Sequence, residues 1–277
     1  MKTAWIFAGG AARSVYTAGV LYALCEMDIP RPDIIIGCSG MAPTSICYVT
    51  GQKEIIKNVW CRSLSTTKFV SFWRLWKIVD INYLIDTVLK ENNPLDMKKL
   101  KESPITVYWP VTNSETGEIN YISNETGLDI WEVLRAAVSV PICTNLFSVM
   151  GNPVNGQYYS DSPPASRFQL HIKKAAEEGA ERIIVFDSWH TDENPTGYFI
   201  SKVYACLRNG EFRRNQLSYF REMENFSPPS GIHFLYLSPA SKLAMSRYKI
   251  DNKNARKIFE QGYRETLSRK ELRDLTP

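Results

Sequence analysis

Histidine is scarce in this 277-residue chain: only His171, His190 and His233 occur. The six cysteines, Cys25, Cys38, Cys47, Cys61, Cys143 and Cys206, show no C-x-x-C spacing and no neighbouring histidine pair. That argues against a zinc site and a disulfide framework, which need clustered ligands or paired thiols. No run approaches the roughly 18 apolar residues that would span a bilayer. The opening Met1-Lys2-Thr3-Ala4-Trp5-Ile6 turns glycine-rich too soon for a signal-peptide apolar core, so a cytoplasmic location is expected. Gly9-Gly10 has neither the G-K-[ST] of a phosphate-binding loop nor the third glycine of a dinucleotide fingerprint. No basic segment interleaved with aromatics suggests nucleic acid.

What is present suits an ordinary globular core, with 44% hydrophobic and 22% charged residues. The net charge of +4 is unevenly placed. Residues 197–277 carry 15 Lys and Arg against 8 Asp and Glu, a surplus of +7 that leaves −3 for the first 196. Solvated helix faces account for such a surplus; the sharper reading is a peripheral contact with an anionic membrane surface.

Thr3–Ala8 reads as a buried strand, and Val15, Ala18, Leu21, Tyr22 and Cys25 recur at helical spacing between Ser14 and Met27. Asp33 opens a second strand, so the chain begins β-loop-α-β-turn-α, the start of a parallel sheet. Phe69, Phe72, Trp73, Trp76 and Val79 predict one stripe of a helix, either core or an interfacial face beside Lys and Arg. Helices follow at Asn82–Lys90 and from Asp129 to Val138, with strands Ile105–Val111 and Ile119–Ser123 between them. A hairpin pivoting on Asn155-Gly156 delivers Gln157–Asp161. Later come a helix at Leu170–Glu178, a strand at Arg182–Asp187, helices near 198–207 and 211–225, a strand at Ile232–Leu237 and a helix from Asn254 to Leu272.

The stretch that organises the rest is Ile34-Ile35-Ile36-Gly37-Cys38-Ser39-Gly40-Met41-Ala42. Strand, tight turn with a central serine, then helix is the layout of a nucleophile elbow, G-x-S-x-G, here written G-C-S-G-M. Such a turn lifts the hydroxyl above the sheet, and the following helix directs N–H groups at developing negative charge. Ser39 could pair with Asp161 and His190 or His233 in the order of an α/β-hydrolase, but only one strand precedes that of Ser39. The other possibility is a two-residue device in which a carboxylate takes the serine proton directly.

Gly9-Gly10-Ala11-Ala12-Arg13-Ser14, with the helix Val15-Tyr16-Thr17-Ala18-Gly19-Val20-Leu21, resembles the first signature of the patatin-like phospholipases. The Ser39 elbow follows at that family's distance, and Leu134-Arg135-Ala136-Ala137-Val138-Ser139-Val140-Pro141 is similar to its segment before the aspartate. Tyr159-Ser160-Asp161-Ser162 occupies the place of its Y-x-D-G-G motif. The resemblance runs in order from about residue 3 to 187, and the tail is similar to the C-terminal extension of a bacterial branch.

The resemblance implies a three-layer α/β/α fold with a mainly parallel sheet. It divides into a hydrolase core over 1–190 and a helical extension over 191–277 packed on it. It implies a Ser-Asp dyad, with Ser39 as nucleophile and Asp161 as general base. An oxyanion hole would be built from Gly9, Gly10, Ala11 and Arg13, with the N–H groups of Gly10 and Ala11 as donors and Arg13 as anchor. Gly37 and Gly40 would free the elbow. No metal or cofactor is required, and the substrate would be a lipid or other acyl ester. Ala11, Met41 and Ser162, with Ser14 as a fourth, fill positions where the family has glycine. They motivate the rival reading, a weak or silent relative that binds acyl chains or a membrane surface. Met41 is expected to crowd the elbow helix, and Ala11 to avoid left-handed geometry or accept strain.

Overall fold

The computed structural model describes residues 1–74, 77–141, 143–144, 151–193, 197–245 and 251–275. The chain begins with β1 (Thr3–Phe7), a 3-10 turn over Ala11–Arg13, α1 (Ser14–Leu24), β2 (Ile34–Gly37), α2 (Met41–Val49) and α3 (Lys53–Asn58). A π-helical turn at Val59–Ser63 extends α3, and a second π-helix covers Tyr83–Asn92. Then follow α4 (Met97–Lys101), β3 (Thr106–Asn113), β4 (Ile119–Ser123), α5 (Ile130–Ala137), β5 (Asn152–Val154) and β6 (Gln157–Ser160). The last third holds α6 (Pro163–Ser166), α7 (Gln169–Glu177), β7 (Arg182–Phe186), α8 (Gly197–Cys206), α9 (Gly210–Glu224), β8 (His233–Leu237), α10 (Asn252–Ser268) and α11 (Lys270–Arg273).

Among the described residues, eight strands form one sheet in the order β5-β6-β3-β2-β1-β7-β8, with β4 also on β3. Strands β3, β2, β1, β7 and β8 run parallel; β4, β5 and β6 make the antiparallel pairs. The parallel strands are apolar on both sides because helices cover both faces. Trp5, Phe7, Ile35 and Val107 point into a large core with α1, α2, α5 and α10. Ala4, Ile6, Ile34 and Ile36 alternate into a smaller core with α7. The architecture is a mixed α/β fold with a mostly parallel central sheet between helical layers.

Helix α1 is buried on nearly every side, so period counting alone does not show which of its faces meets the sheet. Helix α10 crosses it closely enough that a Cβ on Gly19 would lie 2.0 Å from the Phe259 carbonyl oxygen, and one on Gly262 2.2 Å from that of Tyr16. Tyr16 also donates to Glu265 Oε2 across this contact at 2.8 Å. The segment beyond residue 190 thus supplies a sheet strand, β8, and a helix packed on the first helix of the chain.

The Asn155-Gly156 hairpin forms as expected, with both residues at positive φ (48° and 78°), as a tight two-residue turn requires. The helix expected over residues 69–79 does not. Val70 and Val79 form an antiparallel bridge, and the chain doubles back through a turn at Phe72-Trp73. The Arg74 guanidinium takes the carbonyls of Lys68 and Phe69 (3.1 and 3.0 Å), acceptors that a helix would need for its own ladder. Trp76, counted in the expected stripe, lies outside the described residues. The final helix breaks at Arg269 (ψ 114°) into α10 and α11.

Replacing Gly19 by Val forces α1 and α10 apart, and overpacking of this kind costs about 1–3 kcal/mol. Urea unfolding of Gly19→Val is expected to show that loss; an unchanged midpoint would contradict the close crossing.

Candidate active site

The backbone of Ser39 is left-handed (φ 54°), a conformation that costs an L-residue about 1–2 kcal/mol and persists only when its surroundings enforce it. The enforcement is local. Cys38 N–H continues the sheet to Phe7 O (3.0 Å), and Met41 N–H turns back to Cys38 O (2.9 Å) to start α2. A Cβ on Gly37 would lie 2.8 Å from Ser45 Oγ and 2.9 Å from Met41 O. One on Gly40 would lie 2.9 Å from the Trp60 ring. Trp60 is held there by donating to Thr44 Oγ1 (3.0 Å), which itself donates to Gly40 O (2.8 Å). The crowding expected at Met41 falls one residue earlier: the Met41 side chain is fully buried in the large core, and Gly40 makes the close approach.

Asp161 follows β6, which β3 positions through the Thr112–Ser160 pairing. Its N–H donates to Ser139 O (2.8 Å), and the next hydroxyl, Ser162, pairs with Thr112 Oγ1 (2.6 Å). The carboxyl is buried, and Oδ1 has no hydrogen-bond partner among the described residues. Burial pushes its pKa up to about 7; a hydrogen bond with the Ser39 side chain pulls the other way but does not cancel it. A carboxylate balanced near neutrality beside a strained serine is a competent proton acceptor.

The Gly9–Arg13 loop joins both groups. A Cβ on Gly9 would lie 2.8 Å from Ser39 Cβ and 2.9 Å from Ser166 Cβ, so the position is closed to any other residue. Two of the expected oxyanion groups are committed inside the fold. Gly9 N–H donates to Ser166 O (2.7 Å), and Gly10 N–H to Ser14 Oγ (2.9 Å). Ser14 stands where the resemblance wants glycine, and its hydroxyl is what captures Gly10. Neither Ala11 nor Ala12 N–H has a partner among the described residues, and both residues line the same cavity as Ser39. Ala11 accepts the left-handed geometry (φ 51°).

Arg13 is buried. It stacks on Trp189 (4.3 Å to the ring centre), donates to Ser188 O (3.3 Å) and Met245 O (3.4 Å), and pairs with Glu193 (2.5 Å). It thereby fastens the start of α1 to the loop after β7.

Ser39 opens into an apolar cavity of about 260 Å³. Its walls include Val59 and Trp60 from the first π-turn and Leu64 just after it, Leu84 and Leu89 from the second, and Phe69 and Phe72 from the doubled-back segment. No histidine lines it. His171 is buried between Tyr121 OH (2.8 Å) and Ala165 O (3.0 Å), and burial lowers its pKa to about 4. His190 borders Asp192, and His233 is exposed at the start of β8. Trp60 and Ser166 carry no motif signal; their roles come from contacts over distances that periodicity does not report.

Comparison with known proteins places residues 6–162, more than half of the chain, on the family model described as patatin-like phospholipase. The chain is 21% identical over 258 residues to the uncharacterized protein YjjU of Escherichia coli (strain K12), covering 87% of this chain and 70% of that one. The crystal structure of VipD from Legionella pneumophila shares the fold, with a TM-score of 0.51 at 13% identity. That match covers 96% of this chain, which spans 66% of the VipD chain.

Two outcomes follow from the geometry. A carboxyl whose pKa is near 7 when folded and near 4 when unfolded keeps its proton longer in the native state, so stability falls as pH rises through that window. Between about pH 4 and about pH 7 this group alone removes on the order of 3 kcal/mol. Urea unfolding of Asp161→Asn should lack that component, and a pH slope equal to the unsubstituted protein's would contradict it. Met41→Gly is expected to empty core volume and destabilise by roughly 2–5 kcal/mol without relieving the elbow; a gain in thermal midpoint would mean that Met41 is the crowded position after all.

Proposed function

The chain belongs to the patatin-like phospholipase family, a family of lipid acyl hydrolases, and from that premise we propose that it cleaves carboxylic esters of lipids through a Ser39–Asp161 dyad. The observation that carries this reading is the left-handed Ser39 beside a buried carboxylate of near-neutral pKa at the head of an apolar cavity. Asp161 takes the Ser39 proton as Oγ attacks the ester carbonyl. The resulting oxyanion is met by the N–H groups of Ala11 and Ala12, donors worth about 3–4 kcal/mol each in other hydrolases. Asp161 then protonates the leaving alcohol, releasing it from acyl-Ser39. In the second half it deprotonates water, which frees the acid. The apolar cavity accommodates the acyl chain and keeps bulk water from screening the charges.

One observation favours the second reading, a weakened catalyst that chiefly binds acyl groups: Ser14 Oγ holds the Gly10 N–H that would otherwise face substrate. A fluorophosphonate probe separates the two. Labelling confined to Ser39 and lost in Ser39→Ala supports hydrolysis; a folded protein that does not label supports the binder. Asp161→Asn is expected to slow labelling and nitrophenyl-ester turnover by about 10²–10⁴-fold. The rate should rise with pH and level off above about 7, because only the ionised carboxylate accepts the proton. A flat profile from acid to neutral pH would remove Asp161 from the base role.

A further inference from the structure

The doubled-back segment around Phe72-Trp73 is not used by the chemistry, yet it is built with care. Asp80 N–H donates to Phe69 O (2.9 Å), Ser71 N–H to Ile78 O (2.9 Å) and Val79 N–H to Cys143 O (2.9 Å). Arg74 gathers the carbonyls of Lys68 and Phe69 and binds Asp80 (3.2 Å), which Lys77 also binds (2.7 Å). At the tip of this clamped flap Trp73 is 95% exposed and Phe72 55% exposed. Presenting two aromatic rings to water on an ordered turn runs against the usual burial of such residues and marks a contact surface.

Two features say what the surface meets. First, Phe72 is at once half-exposed and a wall of the cavity that Ser39 opens into, so the rim of that cavity lies at the flap tip. Second, residues 62–80 carry four cations, Arg62, Lys68, Arg74 and Lys77, against the single carboxylate Asp80, and Arg62 and Lys68 are exposed.

We propose that the turn at residues 68–74 is an interfacial anchor that seats the cavity mouth on an anionic lipid surface, Trp73 and Phe72 entering the headgroup boundary and Lys68 facing the phosphates. An acyl chain then reaches Ser39 along the apolar cavity wall without crossing bulk water. The proposal draws its purpose from the hydrolase reading, but its test does not depend on turnover. The surface assigned is this flap and not the basic stretch 197–277, so charge there is not required for docking.

The test uses the full chain carrying Ser39→Ala, which removes hydrolysis, in co-sedimentation with vesicles of phosphatidylcholine alone or mixed with phosphatidylglycerol. Binding is expected with the anionic vesicles and should weaken as salt is raised. Adding Trp73→Ala should lower the partition by about tenfold, and Lys68→Glu should lower it on anionic vesicles only. In the otherwise unsubstituted protein, Trp73→Ala should spare turnover of a dissolved short-chain ester while reducing turnover of vesicle lipid. Equal partition with and without Trp73, or folded protein that stays in the supernatant, overturns the proposal. So does a Trp73-dependent dimer in light scattering, which would give the patch to a second copy of the chain. If vesicle binding depends on Trp73 but no ester is cleaved, the hydrolase reading falls and the anchor stands.

Discussion

Three loops meet at one missing side chain. Gly9 lies where the end of β1, the Ser39 turn and the short helix after Asp161 converge, with Ser39 Cβ and Ser166 Cβ both inside 3 Å of where its own Cβ would be. Its N–H is spent on Ser166 O, which ties the loop beyond Asp161 to the loop beneath the nucleophile. That contact adds to the Ser139 and Thr112 bonds that already place Asp161 near Ser39. The sheet order explains why the meeting happens here. Strands β2 and β3 lie to one side of β1 and β7 and β8 to the other, so the carboxyl end of β1 borders a crevice in which parallel sheets collect their functional loops.

Much of this was legible in the residues. The Ile34–Ile36 run, the Gly-flanked serine and the Asn155-Gly156 turn are local signals whose physics acts over a few bonds, and each forms as read. Ser39 and Asp161 do come together, though no spacing could say that Gly9 would be the joint. What was not legible depends on partners remote in sequence or on competition for backbone groups. The 69–79 stripe has helical spacing, yet one arginine out-competes the helix for its carbonyls. Gly10 keeps its glycine but loses its free N–H to Ser14, an exchange visible only once α1 begins where it does. Met41 departs from the elbow pattern with its side chain in the core, while the close approach sits at Gly40 under a tryptophan twenty residues away.

The segment after residue 190 is tied to the site by the same kind of remote bond. Asp187 N–H pairs with Leu237 O at the end of β8, and its carboxylate is buried with Arg167 (3.4 Å) and Tyr236 OH (3.1 Å). Arg13 reads the next residues of that loop and also Met245 O beyond β8. Buried ion pairs of this sort contribute little net stability but are costly to break, since the partner left behind is an uncompensated charge. They lock geometry more than they stabilise it. The Gly9–Arg13 loop is thereby held by a chain of contacts running into the C-terminal part of the molecule.

Dryness is the property that makes a two-residue device workable. A histidine would arrive with a pKa near neutrality; an aspartate in water would not accept a proton from serine to any useful extent. Burial raises the proton affinity of Asp161 to that range, and among the described residues Oδ1 has no hydrogen-bond partner that would lower it again. The same low polarity strengthens whatever N–H groups meet the oxyanion, because each acts without competition from water. In the proposed dyad, base strength and oxyanion stabilisation therefore rise together from one cause, burial away from water. This coupling gives the left-handed strain at Ser39 and Ala11 its place in the design. Two costs of about 1–2 kcal/mol each aim the reacting groups at a site where every charge interaction is amplified.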